Sequence, residues 1–390
     1  MKTITVLTAT RAEYGLLSPI IHALIECGDF LVKVVVTGAH LSPEFGLTYK
    51  EIIDDGVEID KEVEILLSSD TPSAITKSMG LAMMGFADYF ADNRPDALLV
   101  LGDRYEVLAV CCAAMNARIP IIHLYGGETT EGAIDEAIRH SITKMSYLHL
   151  TSTEAYRKRV IQLGEAPERV VTVGAIGIEN IFGKKLMEKS ELEASLGIQL
   201  DCPYSVVTFH PVTLEDRSAE QQCAELLAAV EAHSEMKYIF TKANADSDGR
   251  IINRMISDYA AGHRNVFLFE SLGMVRYLSS LKYAYMVIGN SSSGLVEVPS
   301  FGIPTINIGM RQKGRIRADS VIDCEPLREN ICKAIEKAGS ESFRNICKQT
   351  KNPYGDGNTS KKVIAAINEM MKPDTVNLKK VFYDLNTESY

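Results

Sequence analysis

Along this 390-residue chain, carboxylates, arginines and a histidine recur directly after short apolar runs. The first half carries Thr10-Arg11-Ala12-Glu13-Tyr14-Gly15, Gly102-Asp103-Arg104 and Tyr125-Gly126-Gly127-Glu128. The second half adds His210-Pro211, Asn244-Ala245-Asp246 and Gly289-Asn290-Ser291-Ser292-Ser293-Gly294. Asp103, Glu128 and Asp135 are candidates for proton transfer, with His210 as a further polar group. Arg11, with backbone amides around Ser291 and Ser292, suits a diphosphate. Each also has a plainer reading. Asp103 beside Arg104 reads equally as an ion-paired loop. Asp135 with Arg139, and Glu136 with His140, stand at the spacing of ordinary helical pairs. His210 reads as a structural hydrogen-bonder and the serine run as a helix N-cap. Independence favours the chemical reading: these residues come from separate elements, yet one type of fold would aim them all at one cleft.

That fold follows from the elements between them. Short β-branched runs at Ile4–Ala9, Val32–Thr37, Ala97–Leu101, Pro120–Leu124, His149–Ser152 and Val170–Val173 predict strands. Helical patterns such as Glu106–Arg118 and Ile134–Met145 lie between them. The Lys- and Glu-rich stretch Gly183–Cys202 breaks the rhythm and suits a linker helix. The pattern then restarts with strands at Ser205–Phe209, Tyr238–Thr241, Val266–Phe269, Tyr285–Ile288 and Thr305–Ile308. Lys361–Lys372 predicts a closing helix before a polar tail. The chain therefore divides into a domain over 1–180, a linker helix over 181–202, a second domain over 203–360, and a helix and tail over 361–390. Alternation of this kind predicts an α/β protein of two Rossmann-like, doubly wound domains. Ligands of such sheets bind in the crevice beyond the strand C-termini.

Composition narrows the chemistry. An apolar fraction of 46% and a mean hydropathy near zero describe a globular protein with material for two cores. A net charge of −10 argues against nucleic acid or an anionic membrane surface as partner. Eight scattered cysteines without a Cys-x-x-Cys predict reduced core thiols, with neither a disulfide framework nor a zinc site. Neither GxxxxGK[ST] nor GxGxxG occurs, which disfavours a nucleoside triphosphatase or a dinucleotide enzyme. The opening MKTITVLTATRAEYG reads as a strand, and no apolar run approaches the ~20 residues of a membrane span, so a cytoplasmic location is expected.

The ordered series Thr8–Gly15, Gly102-Asp103-Arg104, Gly126-Gly127-Glu128, Ile134-Asp135-Glu136 and Arg139–Lys144 resembles one family. So do Phe209-His210-Pro211, Gly289–Gly294, Glu297 and Arg311–Arg315 in the second half. The family is that of the hydrolysing UDP-N-acetylglucosamine 2-epimerases of bacterial sialic and legionaminic acid synthesis, and the resemblance runs through essentially the whole chain. It implies the two-domain GT-B fold, with the active site in the interdomain cleft and the final helices crossing back to the first domain. It implies hydrolysis of UDP-N-acetylglucosamine to N-acetylmannosamine and UDP, without a metal or redox cofactor, by a homodimer or homotetramer. A base would remove H2, UDP would leave by anti elimination, and water would add to the bound 2-acetamidoglucal.

By position, the resemblance makes Asp103, Glu128 and Asp135 the acid/base candidates and places His210 at the sugar or leaving diphosphate. Arg11, Arg104, Arg311, Ser291 and Ser292 would hold the phosphates, and Glu297 the ribose hydroxyls. One position departs from the pattern: where some members have the first Glu of His-x-Glu-Gly-Gly-Glu, this chain has Tyr125. The acid's role there falls to Glu128, to the Tyr125 hydroxyl or to water. The same chemistry on UDP-2,4-diacetamido-2,4,6-trideoxyglucose is the nearest alternative. A glycosyltransferase, a UDP-sugar sensor and a non-hydrolysing epimerase are the others.

Overall fold

The computed structural model describes residues 1–69, 71–129, 134–211, 218–243, 249–372 and 376–385. The chain forms two compact units, Met1–Glu179 with Tyr354–Tyr390, and Asn180–Pro353.

The first unit is built on seven parallel strands: β1 (Lys2–Thr8), β2 (Phe30–Thr37), β3 (Ile59–Val63), β4 (Ala97–Leu101), β5 (Ile121–Leu124), β6 (Leu148–Thr151) and β7 (Val170–Thr172). Their order is β3-β2-β1-β4-β5-β6-β7. The central strand β4 is buried at every residue, which is why its sequence is an unbroken apolar run. β3 escaped the sequence reading because Ile59-Asp60-Lys61-Glu62-Val63 exposes its middle three residues at the sheet edge. The helix Thr359–Met370 belongs to this unit: Val363, Ile367 and Met370 pack with Leu17, Ile21 and Leu24 of the helix Arg11–Glu26.

The second unit has six parallel strands: β8 (Tyr204–Thr208), β9 (Lys237–Thr241), β10 (Val266–Phe269), β11 (Met286–Gly289), β12 (Thr305–Ile308) and β13 (Val321–Cys324). The order is β10-β9-β8-β11-β12-β13. Here too the strand overlooked in the sequence, β13, lies at the edge. Within the stretch read as a linker helix, the helix Ile176–Gly183 ends and a separate short helix, Lys189–Leu196, follows, ended by Gly197 at φ +70°. Its neighbours Ile181, Ile198 and Leu200 are buried with Leu192 and Leu196 against Tyr204, Val206 and Ile239. That burial makes the segment part of the second core.

In each sheet the strand order reverses once, between β1 and β4 and between β8 and β11. Such switch points splay the connections apart and leave a crevice beyond the strand C-termini. Arg11 and Asp103 follow β1 and β4, and His210 and Asn290 follow β8 and β11.

Candidate active site

In the first unit, the loops after β4 and β5 are joined by one side chain that sequence reasoning had assigned to a local pair. Arg139, on the helix Asp135–Met145, is 4% exposed. Its guanidinium donates to the Asp103 carboxylate, to the Glu128 carbonyl at 2.8 Å and to the Glu136 carboxylate at 3.0 Å. A planar guanidinium can bridge three such acceptors without losing its charge. Asp103 thus pairs with Arg139 rather than with its neighbour Arg104. The Glu136–His140 pair is present, at 3.2 Å.

Glu128 is buried, and its Oε1 accepts the Ser152 hydroxyl at 2.7 Å from the end of β6. The turn that brings it there needs Gly127, whose φ is +80° and whose missing Cβ would stand 2.5 Å from the Tyr156 carbonyl oxygen. Tyr125 also has positive φ, +68°, and its hydroxyl accepts the Ile176 N–H at 2.8 Å. Asp135 opens its helix half-buried; burial raises its pKa and the Arg104 charge opposes the rise. Behind the site His123 is fully buried on β5, and burial lowers its pKa to about 3. The ring is therefore neutral, with Nε2 placed at 2.8 Å to donate to the Gly102 carbonyl.

A cavity of about 1000 Å³ opens at the C-terminal ends of β1–β4, lined by Thr10, Arg11, Arg104 and Glu106 among others. Arg11 is exposed and paired with Glu51 at 3.0 Å, away from the Arg139 cluster. Arg104 donates through Nε to Glu106 Oε1. Glu13, in a capping box with Thr10, accepts the amides of Ala9 and Thr10 at 2.8 and 3.0 Å. Burial and the nearby Glu106 charge raise its pKa to about 7, against the pull of those amides and Arg104. Glu106 was passed over in the sequence because an acidic residue in a first helical turn is ordinary.

In the second unit the organising residue is Asn290, 1% exposed, at the end of β11. Its side chain brackets His210, accepting its N–H at 2.7 Å and donating to its carbonyl at 2.8 Å. Its own carbonyl accepts Arg311 Nη1 at 3.0 Å and Gln312 Nε2 at 2.9 Å. His210, Asn290 and Arg311 are thereby brought together. Ser291 and Ser292 follow Asn290, but the helix expected after them is a single turn, Ser293–Val296. Pro299 then directs the chain into a 3-10 turn, Val298–Phe301. Glu297 lies at that junction, where burial raises its pKa and the Ser293 hydroxyl opposes. Asn244-Ala245-Asp246 lies outside the described residues. Among the described residues no group of three or more His, Cys, Asp or Glu is placed to hold a metal ion, and no helix is long and apolar enough to cross a membrane.

The arrangement offers buried carboxylates for proton transfer in one unit and an arginine-braced loop for an anion in the other. A family model described as UDP-N-acetylglucosamine 2-epimerase matches residues 22–368. The GDP/UDP-N,N'-diacetylbacillosamine 2-epimerase (hydrolyzing) of Campylobacter jejuni is 43% identical over 98% of this chain and 99% of its own. The polysialic acid biosynthesis protein P7 of Escherichia coli is 41% identical, covering 99% and 98%. Among solved structures, the UDP-GlcNAc 2-epimerase of Neisseria meningitidis bound to UDP-GlcNAc matches with a TM-score of 0.74. That match spans 95% of this chain and all of the other at 19% identity, a likeness of fold. Matched by the family's model over most of its length and by two relatives end to end, the chain belongs to the UDP-N-acetylglucosamine 2-epimerase family.

Proposed function

We propose that this protein is a hydrolysing UDP-N-acetylglucosamine 2-epimerase, converting UDP-N-acetylglucosamine and water to N-acetylmannosamine and UDP in the cytoplasm as a homo-oligomer. The observation that carries the reading is the pairing of Asp103 and Glu128 through Arg139. Two carboxyl-bearing loops are held in fixed register at the C-terminal ends of adjacent parallel strands, with a cation between them. A base among Asp103, Glu128 and Asp135 removes H2, and UDP departs by anti elimination. Water then adds to the 2-acetamidoglucal with inversion at C2. Arg11, Arg104 and Arg311 neutralise the leaving diphosphate with amides near Ser291 and Ser292, His210 contacts the sugar or diphosphate, and Glu297 takes the ribose hydroxyls.

A second substrate, UDP-2,4-diacetamido-2,4,6-trideoxyglucose, is favoured by the name of the Campylobacter relative, a hydrolysing diacetylbacillosamine 2-epimerase. Both UDP-sugars, incubated separately in deuterated water, decide the matter by mass spectrometry of the products. The expected outcome is UDP plus a free manno-configured 2-acetamido sugar carrying one deuteron at C2. UDP-N-acetylmannosamine as the sole initial product moves the protein to the non-hydrolysing class, and an undeuterated sugar transferred to an acceptor points to a glycosyltransferase.

A further inference from the structure

Glu106 stands three residues after Asp103, in the first turn of the helix Tyr105–Asn116, at the C-terminal end of β4. Its side chain is 1% exposed. One oxygen, Oε1, receives Arg104 Nε. The other, Oε2, is buried and has no hydrogen-bond partner among the described residues. Leaving a charged acceptor unsatisfied in the interior is costly, and a fold keeps such a group where something else donates to it in the working state. Glu106 lines the cavity of about 1000 Å³, whose lining mixes Leu41, Ile65 and Leu66 with Ser42, Glu64 and Ser68.

The surroundings select the donor. Glu13 is a second carboxyl near Glu106, and its own bonds are to the backbone amides of Ala9 and Thr10. Arg104 Nε is already held by Glu106 Oε1, and an ionised Oε2 only accepts, so it needs a donor and cannot pair with a diphosphate oxygen. A neutral O–H or N–H supplies that donor, and Leu41, Ile65 and Leu66 of the same cavity suit the methyl of an acetamido group. We propose that Glu106 is a substrate-binding residue whose Oε2 accepts a hydrogen bond from a hydroxyl or amide N–H of the glycosyl group, while Oε1 holds Arg104 at the cavity rim. This rests on the UDP-sugar reading above.

The test is the isosteric Glu106→Gln, which presents an amide NH₂ to the ligand while its carbonyl still accepts Arg104. KM and kcat are measured with the UDP-sugar that turns over, and the dissociation constant of UDP by calorimetry. Loss of a charge-assisted bond to the sugar raises KM about ten- to a hundredfold with kcat nearly kept. UDP, which lacks the glycosyl group, binds as to the unaltered enzyme. A parallel rise in the UDP dissociation constant overturns the proposal, because Glu106 then acts only through Arg104. An unchanged KM overturns it as well. Should Glu106→Gln not fold by circular dichroism, Glu106→Met, which also releases Arg104, is read against Arg104→Met, and a KM rise no larger than that variant's overturns the proposal; failure of both Glu106 variants to fold makes the residue structural and ends it. Absence of turnover of any UDP-sugar by the unaltered enzyme sinks the functional reading instead.

Discussion

Glu128 and Tyr125 stand three residues apart beyond β5, and their environments assign them different work. The Tyr125 hydroxyl is engaged by the backbone N–H of Ile176, whereas the Glu128 carboxylate is held by the Ser152 hydroxyl with Arg139 on its main chain. A tyrosine with an ordinary pKa near ~10 is also a weak base at neutral pH. Glu128→Gln is therefore expected to lose ~10²–10⁴-fold in turnover while UDP affinity is nearly kept. Tyr125→Phe should keep most turnover and lower stability by ~1 kcal/mol, the worth of one hydrogen bond. Steady-state kinetics and thermal melts of the two variants check this. The reverse ranking in turnover gives the acid/base role to the tyrosine position.

At the scale of elements, the loop after β11 is organised from its first residue. Asn290 ties the β8 exit at His210 to Arg311 and Gln312 beyond β12, so three loops are joined at one residue. Arg311 donates through Nη1 to the Asn290 carbonyl, which fixes a planar guanidinium of the sign and shape that recognise a phosphate at this loop. Arg311→Ala should weaken UDP binding by ~1.5–3 kcal/mol, about one to two decades in dissociation constant. Calorimetry with UDP measures it. A lower melting temperature with an unchanged dissociation constant would leave Arg311 with a purely structural part.

For the molecule as a whole, acid stability is set by buried groups. Burial lowers His123 to about 3 and His40 to about 4, and lowers His149 as well. Histidines with depressed folded pKa stabilise fully above their unfolded value, ~6.5, and the contribution fades as pH falls toward the folded value. Glu165 is buried, which opposes ionisation, yet hydrogen bonds from His149, Lys144 and Lys380 hold it at about 2. Its contribution is present above the unfolded carboxylate value of 4.5 and is lost as pH falls toward 2. Glu13 runs the other way: raised to about 7, it costs stability as pH rises through that value. Between pH 7.5 and 5 the three lowered histidines act against the raised carboxyls Glu13, Asp135 and Glu297, and the large depressions of His123 and His40 predict a lower melting temperature at pH 5 than at pH 7.5. Calorimetric scans at the two values test it, and a higher melting temperature at pH 5 would mean that the raised carboxyls dominate.

What the sequence determined by itself is everything that depends on near neighbours. Strand–helix alternation, the buried strands such as Ala97–Leu101, and the polar groups just beyond them follow from local apolar periodicity. Edge strands β3 and β13 were not visible because a short edge strand that carries charged residues and no unbroken apolar run gives little local signal. Partner choice was decided only by the tertiary structure. Arg139 sits four residues from Asp135 yet bonds Asp103, 36 positions away, because β4 and β5 are adjacent and the helix Asp135–Met145 follows β5. Asn290 meets His210 across 80 positions because β8 and β11 pair in the sheet. Hydrogen-bonding partners are set by which strands become neighbours, and strand order is a property of the assembled sheet rather than of any window of sequence.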